Sequence, residues 1–350
     1  MTETMTSIAV TGVQNFSAVT CPVPAPGPGQ ALVKVAYCGI CGSDVPRYFD
    51  GAVHAFPQIL GHEFSGVVAA AGPGCGTPVG TRVAVAPHIP CGQCGQCRDA
   101  NPTLCEDYSF IGSREPGAMA QYVLAPSENL VPAGGLSLRS AALVEPLTVA
   151  LHAVNQVDVR PGLRAVVLGS GVIGLMSVLS LRDRGVEDIT VVDINPWVLD
   201  VARSMGACRT INPAAQDTAA VLSGEAAPGL VLETAGAAAT IRQALQLAAR
   251  RGRIVYVGKP TRPFETDIDT FEQILRKELT IKGSWLSYSS PFPGSEWTDA
   301  VRVLQNSPVS PEGIVTHEFG LGEAADGFEV MRGTGVRRLK VMFRVFGEDA

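Results

Sequence analysis

The chain has 350 residues, more than a single hydrophobic core usually serves, so two packed units are expected. Apolar residues make up 46% and charged ones 17%, enough for well-buried cores and too little charge for extended disorder. A formal net charge of -6, with no Lys/Arg block or basic aromatic stripe, argues against a nucleic-acid partner.

The opening segment, Met1 to Val10, lacks the basic start and apolar middle of a secretion signal, which predicts a cytoplasmic protein. From Thr20 to Gly80, short apolar runs such as Ala31 to Tyr37 and Gly66 to Ala71 alternate with Pro and Gly clusters, as in a domain of short strands and tight turns. After Pro161 the texture changes. Ala165 to Leu181 approaches the length of a membrane span, but Gly169, Ser170, Gly171 and Gly174 interrupt it and Arg flanks both ends. It reads better as a buried strand, Ala165 to Leu168, then a turn and a helix over Val172 to Arg184. Ile189 to Asp193, Pro196 to Met205, Leu230 to Glu233, Ala238 to Ala249, Gly252 to Gly258, Phe271 to Glu278 and Leu279 to Gly283 continue the alternation of a parallel α/β sheet. Past Trp285 it stops. Two helices, Glu296 to Gln305 and Leu321 to Arg332, and a strand over Lys340 to Val345 are too little for a separate core, so this tail is expected to return to the first domain. The fold class is α/β, with a doubly wound parallel sheet inserted into a β-rich domain.

Nine cysteines without a secretion signal point to metal ligation or free thiols. Cys91, Cys94 and Cys97 are each three apart and Cys105 follows eight residues later. Four thiolates on one loop can close a tetrahedral shell around zinc, leaving no vacancy for a substrate, so this site should stabilise a loop. The alternative, four free thiols so closely spaced, would be an oxidation hazard.

Cys41, His62, Glu63 and Glu145 are scattered over the first 150 residues, in glycine- or proline-bearing sequence. Mixed S, N and O donors from separate loops suit a zinc with an open position. A lone His or Cys is as readily a core residue, so the residues alone leave this set open. Cys38, three residues before Cys41, also leaves a Cys-x-x-Cys redox pair as an alternative.

Gly169-Ser170-Gly171-Val172-Ile173-Gly174 follows a buried strand and opens a helix, where glycines allow pyrophosphate to approach the helix N-terminus. Asp193 ends the next strand, nineteen residues beyond Gly174, placed to accept hydrogen bonds from an adenosine ribose and to repel a 2'-phosphate. The cofactor expected is NAD(H). Ala235, Gly236, Val257 and Gly258 end later strands on the ligand-binding side and are candidates for the nicotinamide pocket. The competing reading has the glycines serving helix–strand packing and Asp193 capping a helix.

Gly39 to Asp44 and Gly61 to Gly66 (GHEFSG), followed by the four-cysteine loop, resemble the zinc-containing medium-chain dehydrogenases, in the right order over nearly the whole chain. The resemblance implies a GroES-like catalytic domain over 1–146, a Rossmann NAD-binding domain over 147–285 and a C-terminal segment, 286–350, that completes the first. It implies two Zn2+ per subunit, with Cys41 and His62 as catalytic ligands and Glu63 as a direct or exchanging one. Glu145 stands where ethanol-type members carry a second cysteine and the polyol branch a glutamate. A carboxylate donates less charge than a thiolate, leaving zinc a stronger Lewis acid suited to neighbouring hydroxyls. Ser43 matches the family's proton-relay hydroxyl, whereas Val45, Pro46 and Arg47 stand where ethanol-type members finish the relay with histidine. A homodimer or homotetramer through the nucleotide domain is implied as well.

Within the polyol branch, Cys41 to Arg47, Phe110 to Arg114 (FIGSR), Glu145 to His152 and Ile274 to Trp297 are most similar to the galactitol-1-phosphate dehydrogenases. The implied substrate is a polyol or sugar-alcohol phosphate, with Arg47 as the candidate phosphate partner or else a surface arginine. Two alternatives stand: a cyclitol or aminocyclitol dehydrogenase with the same machinery, and a zinc-stabilised binding protein that kept the fold and lost catalysis. The second would show a missing ligand or a broken glycine loop, and this sequence shows neither.

Overall fold

The computed structural model describes residues 3–223, 227–307 and 310–350, so Met1 and Thr2 of the opening segment lie outside it. Two compact units emerge, one of Met1–Glu145, Tyr288–Asn306 and Ser310–Ala350, the other of Pro146–Ser287 and Ser307–Val309.

The first unit is organised on the strand Gln30–Gly39, whose Val- and Ala-rich sequence is buried along most of its length. Such a strand needs partners on both edges. It pairs antiparallel with Glu63–Ala71 on one side and with Lys340–Arg344 on the other. The full mixed sheet has seven strands, in the order Leu130–Pro132, Arg82–Val85, Glu63–Ala71, Gln30–Gly39, Lys340–Arg344 and Val315–Phe319, with Tyr122–Pro126 also on Gln30–Gly39. Val33, Val35, Phe64, Val83, Met119, Phe328 and Phe343 fill the core beneath it. A three-stranded sheet of Thr4–Gly12, Asn15–Pro22 and Gln58–Ile59 completes the unit's main frame.

In the second unit six strands run in the order Arg209–Ile211, Asp188–Val192, Arg164–Leu168, Leu230–Glu233, Arg253–Tyr256 and Thr280–Gly283, every pair parallel. The helices Val172–Asp183, Pro196–Ser204, Ala238–Leu247 and Ile268–Arg276 connect them. Asn195 accepts from the Trp197 N–H and Pro196 follows at the first helical position, an N-terminus the local sequence specifies by itself. The strand order reverses between Arg164–Leu168 and Leu230–Glu233, the point at which open parallel sheets bind ligands. Two short strands, Arg209–Ile211 and Val315–Phe319, have no distinct sequence pattern and form by pairing with Asp188–Val192 and Lys340–Arg344. No helix among the described residues is long and apolar enough to cross a membrane.

Candidate active site

Strand register assembles the first cluster. Gly39 ends its strand directly opposite Glu63, the first residue of the neighbouring one. A Cβ on Gly39 would collide with Glu63 Oε2, so a residue without a side chain leaves the carboxylate its space. The chain then turns through Cys41 into the short helix Asp44–Phe49. The ligand atoms of Cys41, His62 and Glu63 lie within 4.8 Å of one another, and His62 and Glu63 are buried. A thiol, an imidazole and a carboxylate so close together are a donor set that zinc fits.

Each of these groups has a partner behind it. Asp44 is fully buried; its Oδ2 accepts from the Cys41 N–H at 3.1 Å and its Oδ1 from Arg47 at 2.7 Å. Asp44 Oδ1 also lies 3.6 Å from Nδ1 of His62, a ring nitrogen with no hydrogen-bond partner. A carboxylate facing the far nitrogen of a metal-binding histidine is how such rings are oriented. Behind Glu63 stands Lys340, buried, whose Nζ donates to Glu63 Oε2 and, at 3.2 Å, to the Ile40 carbonyl. Burial opposes the charge on Lys340, but Glu63, Cys41 and Glu145 together outweigh it and raise the ammonium's pKa.

Glu145 lies in the first turn of the helix Val144–Asn155. It falls outside the set joined at 4.8 Å, yet its carboxyl senses His62, Glu63 and Cys41: burial pushes it up to about 8, with His62 opposing and the other two reinforcing. Ser43 is exposed; its N–H points at Cys41 Sγ at 3.5 Å and its hydroxyl accepts from Arg47 at 3.4 Å. Arg47 is therefore held by Asp44 and Ser43. Cys38 is not in that set; it is buried with its Sγ towards the Gly39 carbonyl at 3.7 Å, and burial raises its thiol well above the usual range.

Cys91, Cys94, Cys97 and Cys105 form a second set within 4.8 Å. The Cys91 N–H donates to Cys105 Sγ at 3.2 Å and the Cys94 N–H to Cys91 Sγ at 3.3 Å. Backbone N–H groups of Glu106 and Cys97 draw the Cys94 thiol down to about 6, while burial and the neighbouring Cys105 and Cys94 push Cys97 up to about 12. Four sulfurs at this spacing cannot all ionise without a cation among them. The lobe stands on the pair His88↔Phe110. His88 Nε2 bonds the Pro102 carbonyl at 2.8 Å, its ring stacks on Tyr288 at 4.6 Å, and burial pushes it down to about 4. Phe110 in turn meets the His62 ring edge-on at 5.6 Å.

In the second unit, Gly169 follows its strand with φ of 93°, and Gly171 caps the helix Val172–Asp183 without a side-chain bond. Val172, Ile173 and Gly174 form that helix's first turn. Nothing lies within 4 Å of where a Cβ on Gly171 would stand, which leaves the helix N-terminus open to an anion. Asp193 Oδ2 accepts from the Ser170 N–H at 2.7 Å and Oδ1 from the Asn195 N–H at 2.8 Å, each oxygen keeping a lone pair. A cleft of about 480 Å³ runs past Gly169, Asp193, Ile194, Ala235, Thr240 and Arg242. Ile194 is 77% exposed at its edge, an apolar surface for a flat base. Gly236 lies beside Ala235, and the Val257 and Gly258 N–H groups bond the Glu233 carbonyl at 2.8 and 2.9 Å. Glu233 was not among the expected site residues, nor was Lys340, and Asp44 was quoted without a role.

Residues 27–135 match the family described as alcohol dehydrogenase GroES-like domain, and residues 172–306 that described as zinc-binding dehydrogenase. The chain is 37% identical over 294 residues to galactitol 1-phosphate 5-dehydrogenase of Escherichia coli K12, covering 82% of this chain and 85% of that one. It is 31% identical to sorbitol dehydrogenase of Bacillus subtilis 168, covering 93% of each. Among solved structures, galactitol-1-phosphate dehydrogenase from Escherichia coli matches with a TM-score of 0.91 at 32% identity, over 97% of this chain and 100% of that chain. A zinc-binding dehydrogenase from Sinorhizobium meliloti 1021 bound to NADP matches at 0.90 and 30%, over 98% and 99%. An alcohol dehydrogenase from Escherichia coli CFT073 complexed with NADH matches at 0.89 and 28%, over 97% and 99%. With a GroES-like part, a Rossmann-like parallel sheet and these relatives, the chain belongs to the zinc-dependent medium-chain alcohol and polyol dehydrogenase family.

Proposed function

We propose that this enzyme oxidises a secondary hydroxyl of a polyol or polyol phosphate, of the galactitol 1-phosphate kind, with NAD as the acceptor. The observation that carries the reading is the acid-rich donor set: Glu145, not a second cysteine, senses the Cys41, His62 and Glu63 cluster. The relative at 37% identity, named for galactitol 1-phosphate, points the same way. Cys41, His62, Glu63 and Glu145 hold a catalytic zinc, and Cys91, Cys94, Cys97 and Cys105 a structural one. When bound, the zinc supplies a Lewis acid for the substrate hydroxyl and NAD the hydride acceptor. The Lys340 ion pair engages Glu63 Oε2, so Glu63 would reach the metal through its other carboxylate oxygen or by loosening that pair. Ser43 Oγ takes the proton that the hydroxyl sheds and passes it outward to solvent. Arg47, fixed by Asp44, offers its remaining N–H donors to a phosphate group.

NAD(H) is held with its pyrophosphate on the turn Gly169 to Gly174 and its adenosine in the cleft lined by Ile194 and Arg242. The Asp193 carboxylate accepts from the ribose hydroxyls and repels a 2'-phosphate; Asp193→Ser is expected to erode the preference for NAD over NADP, and an unchanged preference would count against its role. The nine unpaired cysteines support a reducing, cytoplasmic setting. A second copy docks on the nucleotide-binding unit, along the edge strand Thr280–Gly283, exposed at all four positions, and the apolar face of Ile268–Arg276. Ile268, Phe271 and Leu275 are 77%, 54% and 69% exposed on that face, which supports a homodimer, or a homotetramer built from dimers.

The deciding experiment is a panel of polyols, sugar-alcohol phosphates and aminocyclitols with NAD+, following NADH, beside a zinc count. Turnover of galactitol 1-phosphate with two zincs per chain is expected. Turnover of an aminocyclitol alone would overturn the substrate, and no turnover of any alcohol with both zincs present would overturn the activity.

A further inference from the structure

The parallel sheet carries one carboxylate that the reaction above does not use. Glu233, last residue of the strand Leu230–Glu233, is completely buried. Its Oε1 accepts three hydrogen bonds, from the Ala235 N–H at 3.0 Å, the Gly236 N–H at 2.8 Å and the Thr240 hydroxyl at 2.7 Å. Its main-chain carbonyl accepts two more, from Val257 and Gly258 at the end of the adjacent strand. The carboxylate also occupies the space beneath Gly258, where a Cβ would come within 2.8 Å of Oε2. One residue thus ties together the loops after two neighbouring strands, at the sheet edge where ligands bind.

The tie reaches the glycine-rich turn. Ala235 packs so closely against Gly169 that a Cβ there would meet Ala235 Cβ at 2.9 Å. Thr234 Oγ1 donates to the Leu168 and Gly169 carbonyls at 3.1 and 3.0 Å. From the other side the Asp193 carboxylate holds the Ser170 N–H. The turn is clasped between two acids, one partly exposed in the cleft and one beneath it. Glu233 Oε2 is buried with no hydrogen-bond partner, and burial raises the carboxyl's pKa. A group so costly to bury gives little stability in return, which argues for a role in fixing geometry.

We propose that Glu233 is a positioning residue of the dinucleotide site: its Oε1 sets the Ala235–Gly236 wall and, through Ala235, the phosphate-binding turn at Gly169. This rests on reading the cleft as the NAD(H) site. An error of about 1 Å in such a wall is enough to cost on the order of 100-fold in rate. Glu233→Ala is expected to weaken NADH binding, read by fluorescence titration, at least ~10-fold, since all three hydrogen bonds that fix the Ala235–Gly236 wall are lost together. The KM for NAD should rise in step, while the KM for the alcohol and the zinc count stay as in the wild type. Glu233→Gln keeps an acceptor at Oε1 and should recover most of the loss, and Thr240→Val should cost roughly 3- to 5-fold.

If wild-type protein does not bind NADH, the cleft reading fails and the proposal with it. If the wild type binds and Glu233→Ala binds equally well, only the proposal fails. Glutamine losing as much as alanine would also overturn it, because the acceptor would then not be what matters. Should Glu233→Ala fail to fold, the Gln and Thr240→Val variants decide: unchanged NADH affinity in Thr240→Val overturns the proposal, and graded weakening supports it.

Discussion

Cys91, Cys94, Cys97 and Cys105 come from fifteen consecutive residues and meet on a lobe where three of the four are partly exposed. Cys41, His62 and Glu63 meet only because two antiparallel strands set Gly39 opposite Glu63, and buried Lys340 and Asp44 then engage the cluster from behind. A metal held by a cluster made by one loop would be a main tie of that loop, and so part of its folding. A cluster made by a sheet is held by the sheet, which would leave a metal bound there free to serve chemistry. Removing a ligand should therefore act on stability in the lobe and on activity in the sheet-built cluster.

The largest effect is expected from Cys105→Ser. Structural zinc contributes on the order of 10 kcal/mol to small metal-folded units, so the lobe should lose its zinc and its order together. Calorimetry should show a melting temperature lower by roughly 5 °C or more, with about one zinc fewer per chain. Full zinc content and an unchanged melting temperature would erase the contrast. Glu145→Ala comes next. The protein should stay folded with its lobe zinc, while kcat/KM falls on the order of 100- to 1000-fold, the scale of losing one group that stabilises developing charge. Both zincs and full turnover retained in that variant would mean that Glu145 is not a ligand.

The same contrast explains what the sequence made legible. Cysteines three residues apart declare themselves, as does a glycine-rich turn between a buried strand and a helix, because the relevant neighbours are close in the chain. The alternation after Ala165 likewise pointed to the parallel sheet, whose strands are read one by one. Lys340 is different. It bonds Glu63 across 277 positions of sequence, in a final strand whose place beside Gln30–Gly39 depends on tertiary pairing. Asp44 sat inside a quoted motif, but its direction towards His62 Nδ1 is set by the turn at Cys41. Glu233 ended an expected strand and was given no role there. Only the fold shows its carboxylate turned inward under two loops. The strands Arg209–Ile211 and Val315–Phe319 were missed for the same reason, being short segments fixed by pairing with strands distant in sequence.

A third test asks whether the lobe's base is as stiff as its ring stack suggests. Burial holds His88 neutral with its pKa down at about 4, against an ordinary value of 6.5. The unfolded chain then binds the proton more readily, so the sign is fixed: this contribution is complete above pH 6.5 and disappears as pH falls through about 4. Its size is about 3 kcal/mol. Denaturant unfolding between pH 4 and 7 should show that slope in the wild type and a shallower one in His88→Gln. Equal slopes would mean that His88 is not the group that titrates.

The smallest effect should come from Asp44→Asn, and it separates the two clusters most cleanly. Asparagine has nearly the shape of aspartate, and its carbonyl oxygen can still accept from the Cys41 N–H that now bonds Oδ2 at 3.1 Å. What it loses is the charge that faces both Arg47, at 2.7 Å, and His62 Nδ1, at 3.6 Å. Without that charge the His62 ring is less well oriented and a weaker donor through its other nitrogen, a change worth about 10- to 100-fold in metal affinity. Chelator competition should then strip one zinc from Asp44→Asn sooner than from the wild type and leave the second on its wild-type time course, because the four cysteines have no contact with Asp44 among the bonds described. A variant that releases both zincs faster would show that the clusters are mechanically joined, with the edge contact between Phe110 and His62 as the route. One that releases neither faster would show that Asp44 serves the turn at Cys41 and leaves the metal untouched.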